Sequence, residues 1–164
     1  MEKRTDKQNY YLDIAETVAS RATCLRKKYG SVIVKNDQII ATGYNGAPRG
    51  RKNCNDLEYC TKKKLLPDQR HGGYDACRGV HSEQNALISA SREEMMGGTL
   101  YLVGYRTENH EYEKGAAPCM MCRKLMINAG IETVIVRVNK EEYKVYNVKD
   151  WVEDDEFLRG QLSY

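Results

Sequence analysis

The sequence predicts an α/β protein of three layers, with helices on both sides of a mixed central sheet of about five strands. Two observations predict it. The periodicities run helix, hairpin, helix, strand, helix, strand along the chain. Hairpin strands pair antiparallel, whereas strand–helix–strand units run parallel, so the sheet must be mixed and its crossovers must cover its faces. At 164 residues the chain has the size of one core, and residues 1–164 are read as a single domain.

Each element has its own signal. Residues 9–20, NYYLDIAETVAS, put Leu12, Ile14, Ala15 and Val18 at helical spacing. In SVIVKNDQIIATGYNG, Val32 to Val34 form a strand, Asn36 and Asp37 the turn, and Ile39 to Thr42 the return strand. From Ala47 to Val80 periodicity is lost, and a structureless stretch of that length needs a tether or a function. A helix from Ser82 to Glu93, the strand TLYLVG, a loop from Tyr105 to Ala117, a helix from Cys119 to Ala129 stopped by Gly130, and the strand TVIVRV follow. A fifth strand is expected near Val145 to Val148, ahead of an acidic tail.

Composition narrows the function. The 26 basic and 23 acidic residues are interspersed and leave a net charge of +3, which gives no stripe for a nucleic-acid polymer. Short basic clusters such as RGRKN and TKKKLL are expected to be mostly solvated surface. The single Trp and Phe offer little stacking platform, and tyrosines such as Tyr10, Tyr11, Tyr143 and Tyr146 sit at spacings that suit core or interface packing. No apolar run approaches the roughly 20 residues that span a bilayer, and MEKRTDKQNY lacks a signal-peptide core. A cytoplasmic protein without membrane association is expected, in which six cysteines suit metal better than disulfides.

Two motifs carry chemistry. GVHSEQNAL places His81 and Glu83 at a helix start, and APCMMCRKL places Cys119 and Cys122 three apart at another, behind Pro118. Helix N-termini favour thiolates, so both sulfurs can face one point. One histidine and two thiolates make a zinc site whose fourth position stays open to water, the arrangement of a catalytic centre. Zinc acidifies that water, and Glu83, not needed as a ligand, can move its protons. H-x-E followed by P-C-x-x-C is the signature of zinc-dependent nucleobase deaminases.

The resemblance is wider than the motif. CLRKKYGSVIVKNDQIIATGYNGAPRG, CRGVHSEQNALISA and PCMMCRKLMINAGIETVIV resemble the deoxycytidylate (dCMP) deaminases of the cytidine and deoxycytidylate deaminase superfamily, over roughly residues 9–138. The resemblance implies the cytidine-deaminase-like fold and conversion of dCMP to dUMP and ammonia, feeding dTMP synthesis. It implies a homo-oligomer, hexamer or dimer, with dCTP as activator and dTTP as inhibitor. Asn45, in the Gly-Tyr-Asn-Gly element, resembles the asparagine that contacts the deoxyribose, and Arg26 resembles the phosphate-binding arginine; amide and guanidinium suit those roles. Gly43 and Gly46 beside Asn45 fit either a close backbone approach to ligand or a tight turn, and Arg49 and His110 are taken as surface.

Two departures from the family pattern carry expectations. About a dozen extra residues precede Pro118, and this 105–117 loop is expected to lie beside the metal and reshape the pocket. Ser31 stands where an alanine is common and puts a hydroxyl near the pocket. A changed pocket would turn the same chemistry on cytosine, cytidine, a modified pyrimidine or a purine; a competence-type protein that binds nucleotide without turnover is the other alternative. Relatives also carry a second, structural zinc, and Cys24, Cys54 and Cys77 resemble its ligand positions, with His71 as fourth ligand and Cys60 as alternate. Such a site would staple the 47–80 stretch.

Overall fold

The computed structural model describes residues 1–70 and 72–160. Helix α1 (Lys7–Ala19) leads into the hairpin of β1 (Lys27–Lys35) and β2 (Gln38–Tyr44). Asn36 and Asp37 both take positive φ, 51° and 61°, the twist a two-residue hairpin turn requires. The ladder shifts register between Ile33 and Val34, so Ile40 is an extra residue on β2.

The stretch after β2 is less bare than the sequence suggests. It holds two short helices, α2 (Cys54–Leu57) and α3 (Thr61–Leu65), and a 3₁₀ turn at Tyr74–Ala76. Too few residues repeat in any of these for a periodicity to show. The expected helix over Ser82 to Glu93 is two helices, α4 (Ser82–Leu87) and α5 (Arg92–Met95). Ser91 breaks it: its hydroxyl accepts from the Glu94 amide while the Glu94 carboxylate accepts from the Ser91 amide, a capping box that starts a new helix.

Strand β3 (Thr99–Arg106), α6 (Met120–Ala129), β4 (Thr133–Arg137), β5 (Tyr143–Asn147) and α7 (Val148–Glu153) complete the order, with a final 3₁₀ turn at Glu156–Arg159. The five strands lie as β2-β1-β3-β4-β5. Only β3 and β4 pair in parallel, joined through α6, so the sheet is mixed as expected.

Side-chain alternation divides the core. Val32 and Val34 of β1, Tyr101 and Val103 of β3 and Ile135 of β4 face α1 and pack on Leu12, Ala15 and Ala19. Their neighbours Ile33, Leu100, Leu102, Val134 and Val136 face the other way, onto Ala86, Leu87, Cys122 and Met126. Two glycines set how close the layers come. A Cβ on Gly30 would strike the backbone of Ala15 and Ala19, and one on Gly43 would strike the backbone of Ser82 and Ala86. Gly43 therefore serves the docking of α4 on β2. Among the tyrosines, Tyr11 is buried but Tyr10 is not, and Tyr143 and Tyr146 pack on opposite faces of the sheet. Among the described residues no helix is long and apolar enough to cross a membrane.

Candidate metal centre and nucleotide cavity

Two helix starts converge on the α4 side of the sheet. His81 caps α4 in extended conformation, its amide donating to Gln84 Oε1 at 2.9 Å. Just before it, Val80 and Gly46 exchange two backbone hydrogen bonds, which tie the histidine to the end of β2. Cys119 caps α6 and Cys122 sits in its first turn, fully buried. The carbonyl of Pro118 accepts from Arg123, whose guanidinium also lies over Trp151 and pairs with Glu156. The acidic C-terminal segment thus braces the helix that carries both cysteines.

The three ligand atoms of His81, Cys119 and Cys122 lie within 4.8 Å of one another, with His81 Nδ1 at 3.5 Å from Cys119 Sγ and 3.4 Å from Cys122 Sγ. The donor set fits zinc. The thiol of Cys122 donates to Cys119 and holds its pKa below the ordinary thiol range against the effect of burial, whereas the Cys122 pKa is pushed up by the same bond and by burial. Two thiols this close cannot both ionise without a cation between them, and a divalent metal is that cation. The rings of Tyr74 and His81 meet nearly at right angles, with centroids 4.7 Å apart.

Glu83 follows on α4, only 5 % exposed. Its Oε1 accepts from Ser82 Oγ at 2.7 Å, the Cys122 thiol also hydrogen-bonds its carboxylate, and among the described residues it forms no ion pair. Ser82 Oγ lies 2.8 Å from Ser31 Oγ. The hydroxyl expected near the pocket thus reaches the carboxylate through a second serine, which no motif marks.

A cavity of about 370 Å³ opens over these groups, within the range of small-molecule sites. His81, Glu83 and Cys119 line its floor, and Arg26, Asn45, Tyr29 and Tyr74 line its walls. Arg26 is exposed at the rim. Asn45 serves the fold as well as the cavity. Its Oδ1 accepts from the Tyr29 amide at 2.7 Å and its Nδ2 donates to the Lys27 carbonyl at 2.9 Å, pinning β1. One N–H and one lone pair of that amide remain for a ligand. Lys62, from the basic cluster expected to be solvated surface, lines the cavity too, and Arg70 and Arg78 add positive charge that no motif marks. A larger recess, about 1070 Å³, lies beside α1 and touches none of these groups.

The 105–117 loop departs from expectation. Its first half does not lie on the metal site but folds back along β3: the amide of Arg106 donates to the Glu111 carbonyl and that of Glu113 to the Gly104 carbonyl. His110 stacks on Tyr105, and His110 and Tyr112 both hydrogen-bond Glu16 of α1. From the loop, only Ala117 lines the cavity. Arg49 is at the surface as expected.

Cys24, Cys54, Cys60 and Cys77 line the same cavity. Burial first, then the neighbouring Cys24, Cys77 and Cys60, raise the Cys54 pKa. His71 lies outside the described residues, and among those described only His81, Cys119 and Cys122 bring three ligand atoms together.

The sequence profile of the cytidine and deoxycytidylate deaminase zinc-binding region matches residues 5–138. The chain belongs to the cytidine and deoxycytidylate deaminase family. Within that family it is 35% identical over 136 residues to the deoxycytidylate deaminase of Mycobacterium phage D29, covering 80% of this chain and 94% of the phage enzyme. It is 30% identical to that of Schizosaccharomyces pombe, covering 77% of this chain and 35% of the longer yeast protein. Among solved family structures, the cyanophage S-TIM5 dCMP deaminase in complex with dCMP and dUMP superposes with a TM-score of 0.55 at 27% identity, over 83% of this chain and 84% of that one. The deaminase fold predicted from the sequence is the fold found.

Proposed function

We propose that this chain is a zinc-dependent deaminase that converts dCMP and water to dUMP and ammonia. The observation that carries the reading is the convergence of His81, Cys119 and Cys122 beside the buried Glu83, in a cavity with Arg26 at its rim. Its relatives support the substrate: proteins named deoxycytidylate deaminase, and a structure holding dCMP and dUMP.

His81, Cys119 and Cys122 are the zinc ligands in this reading. When bound, zinc supplies a water acidified toward neutrality as nucleophile. Glu83 takes a proton from that water, gives it to the ring nitrogen next to C4, and carries the second proton to the departing amine. Asn45 offers its remaining N–H and lone pair to a sugar hydroxyl, and Arg26 meets the phosphate with two parallel donors. Low exposure keeps Glu83 away from bulk water, where its proton would be lost.

A second, structural zinc belongs to the same reading, held by Cys24, Cys54 and Cys77 with His71, or Cys60 in its place; the shared wall of thiols supports it. Metal analysis is expected to give two zinc ions per chain. A single ion would remove this site and leave the catalytic one. Residues 1–164 as one domain, a homo-oligomer of six or two chains, activation by dCTP and inhibition by dTTP complete the reading, and the family resemblance alone supports them. The cysteines free of disulfides support a cytoplasmic location.

Loss of the cytosine ultraviolet band is the test, with dCMP, cytidine and cytosine offered to zinc-loaded protein, with and without dCTP. Selective turnover of dCMP is the expected result. Turnover of another base, or silence on all three, overturns the substrate assignment.

A further inference from the structure

Ser31 on β1 and Ser82 at the start of α4 are both fully buried, and with Glu83 they form a continuous line: 2.8 Å between the two hydroxyls, then 2.7 Å from Ser82 Oγ to Glu83 Oε1. The line has a direction. A serine hydroxyl carries one proton, and an ionised carboxylate can only accept. Ser82 gives its proton to Glu83, so Ser31 must supply the proton of the first bond.

We propose that Ser31 and Ser82 are positioning residues that hold Oε1 of Glu83 and leave Oε2 as the oxygen that exchanges protons with the reacting water and base. The proposal rests on the deaminase reading above and adds residues that the family motif does not contain. Three features carry it. Glu83 has three side-chain torsions and no ion pair among the described residues, so hydrogen bonds fix it; the Cys122 thiol gives one but is a zinc ligand in this reading, which leaves Ser82 as the anchor, and a carboxylate misplaced by an ångström loses much of its rate. The anchor is rigid, because β1 is hydrogen-bonded on both sides, to β2 and β3. Gly43, which pairs with Ser31 across the hairpin, lacks the Cβ that would push Ser82 away.

Two buried serines can also satisfy each other with no bearing on catalysis, and the test separates the cases. Ser82→Ala is expected to lower kcat for dCMP about tenfold, with KM and zinc content unchanged, because it removes a bond to a charged group. Ser82→Thr keeps the donor and is expected to recover most of the loss. Ser31→Ala is expected to cost two- to threefold, and nothing further in a Ser82→Ala background, since Ser31 acts only through Ser82.

A second readout is independent of turnover: the infrared carboxylate stretch assigned to Glu83 by its disappearance in Glu83→Gln should shift in Ser82→Ala. An unmoved stretch, an unchanged kcat, or a Ser31→Ala effect that persists undiminished without Ser82 overturns the proposal. If Ser82→Ala does not fold, Ser31→Ala is read by the same kcat and infrared criteria. Silence of the parent protein on dCMP with a shifted stretch overturns the dCMP assignment and leaves the positioning of Glu83 standing.

Discussion

Glu16 and Glu83 lie on opposite sides of the same sheet, and the structure treats them in opposite ways. On the α1 side, Glu16 Oε1 accepts from His110 and Tyr112 while Oε2 accepts from Arg137 and Lys140. Arg137 is itself buried and also holds Asp13 and Asn9, so this network ties β4 to α1 and to the loop after β3. On the α4 side, Glu83 has a serine hydroxyl and no cation partner among the described residues. A carboxylate saturated with donors stays ionised down to low pH and serves packing. One held by a serine hydroxyl, with no cation on it, is left with lone pairs for a ligand, which is what the proposed role of Glu83 requires.

Substitutions break the comparison in order of size. Glu83→Gln should lower turnover about 10³-fold, roughly 4 kcal/mol of barrier, with zinc content and melting temperature kept. Normal turnover in that variant would remove Glu83 from the mechanism. Glu16→Gln should do the reverse: lose about 2 kcal/mol of stability in urea, because Arg137 keeps only the half-exposed Asp13 as charge partner, and leave kcat unchanged.

Acid sharpens the contrast. Burial alone would raise the Glu16 pKa, but hydrogen bonds from Lys140, His110 and Tyr112 outweigh it and hold it at about 2, below the ordinary 4.5. A depressed carboxylate stabilises above its unfolded value, so this contribution is complete above about pH 5 and is lost as pH falls toward 2. Urea midpoints measured down that range should fall in the parent and fall less in Glu16→Gln.

Smaller effects belong to the margins of the two regions. Arg26→Ala should raise KM for dCMP about tenfold while leaving deoxycytidine unaffected, which separates a phosphate contact from a general loss of fit. His110→Ala removes one donor of four from Glu16 at a half-exposed position, and a loss of about 0.5 kcal/mol in stability with no change in kcat is expected.

What was legible in the sequence follows from how many residues each feature needs. The hairpin was readable because the Asn36-Asp37 turn and the alternating valines and isoleucines agree. The metal cluster was readable because zinc chemistry admits few residue types, and His81, Glu83, Cys119 and Cys122 stand at fixed spacings. Features made by one residue meeting another far along the chain left no mark. Ser82 looks like any first-turn serine until β1 brings Ser31 beneath it. Tyr74 sits in an aperiodic stretch and meets His81 only through the path of the backbone. Arg137 in a strand gives no hint that α1 will cover it with two carboxylates. The break at Ser91 could have been found from the Ser-x-x-Glu spacing, but helical periodicity on both sides hid it.

The strand extension between Gly104 and Glu113 has a consequence for how this protein can change. Because the chain leaves the end of β3 and returns beside it, the length of the excursion is uncoupled from the position of Pro118 and Cys119. Residues can be added at its tip without altering the distance the backbone must span to the second helix start, whereas trimming would cost the bonds of Thr107 and His110. The length of this segment is thus free to grow while its anchors stay fixed, on α1 through His110 and on the cavity wall through Thr107, whose amide and hydroxyl donate to the carbonyls of Arg26 and Cys24.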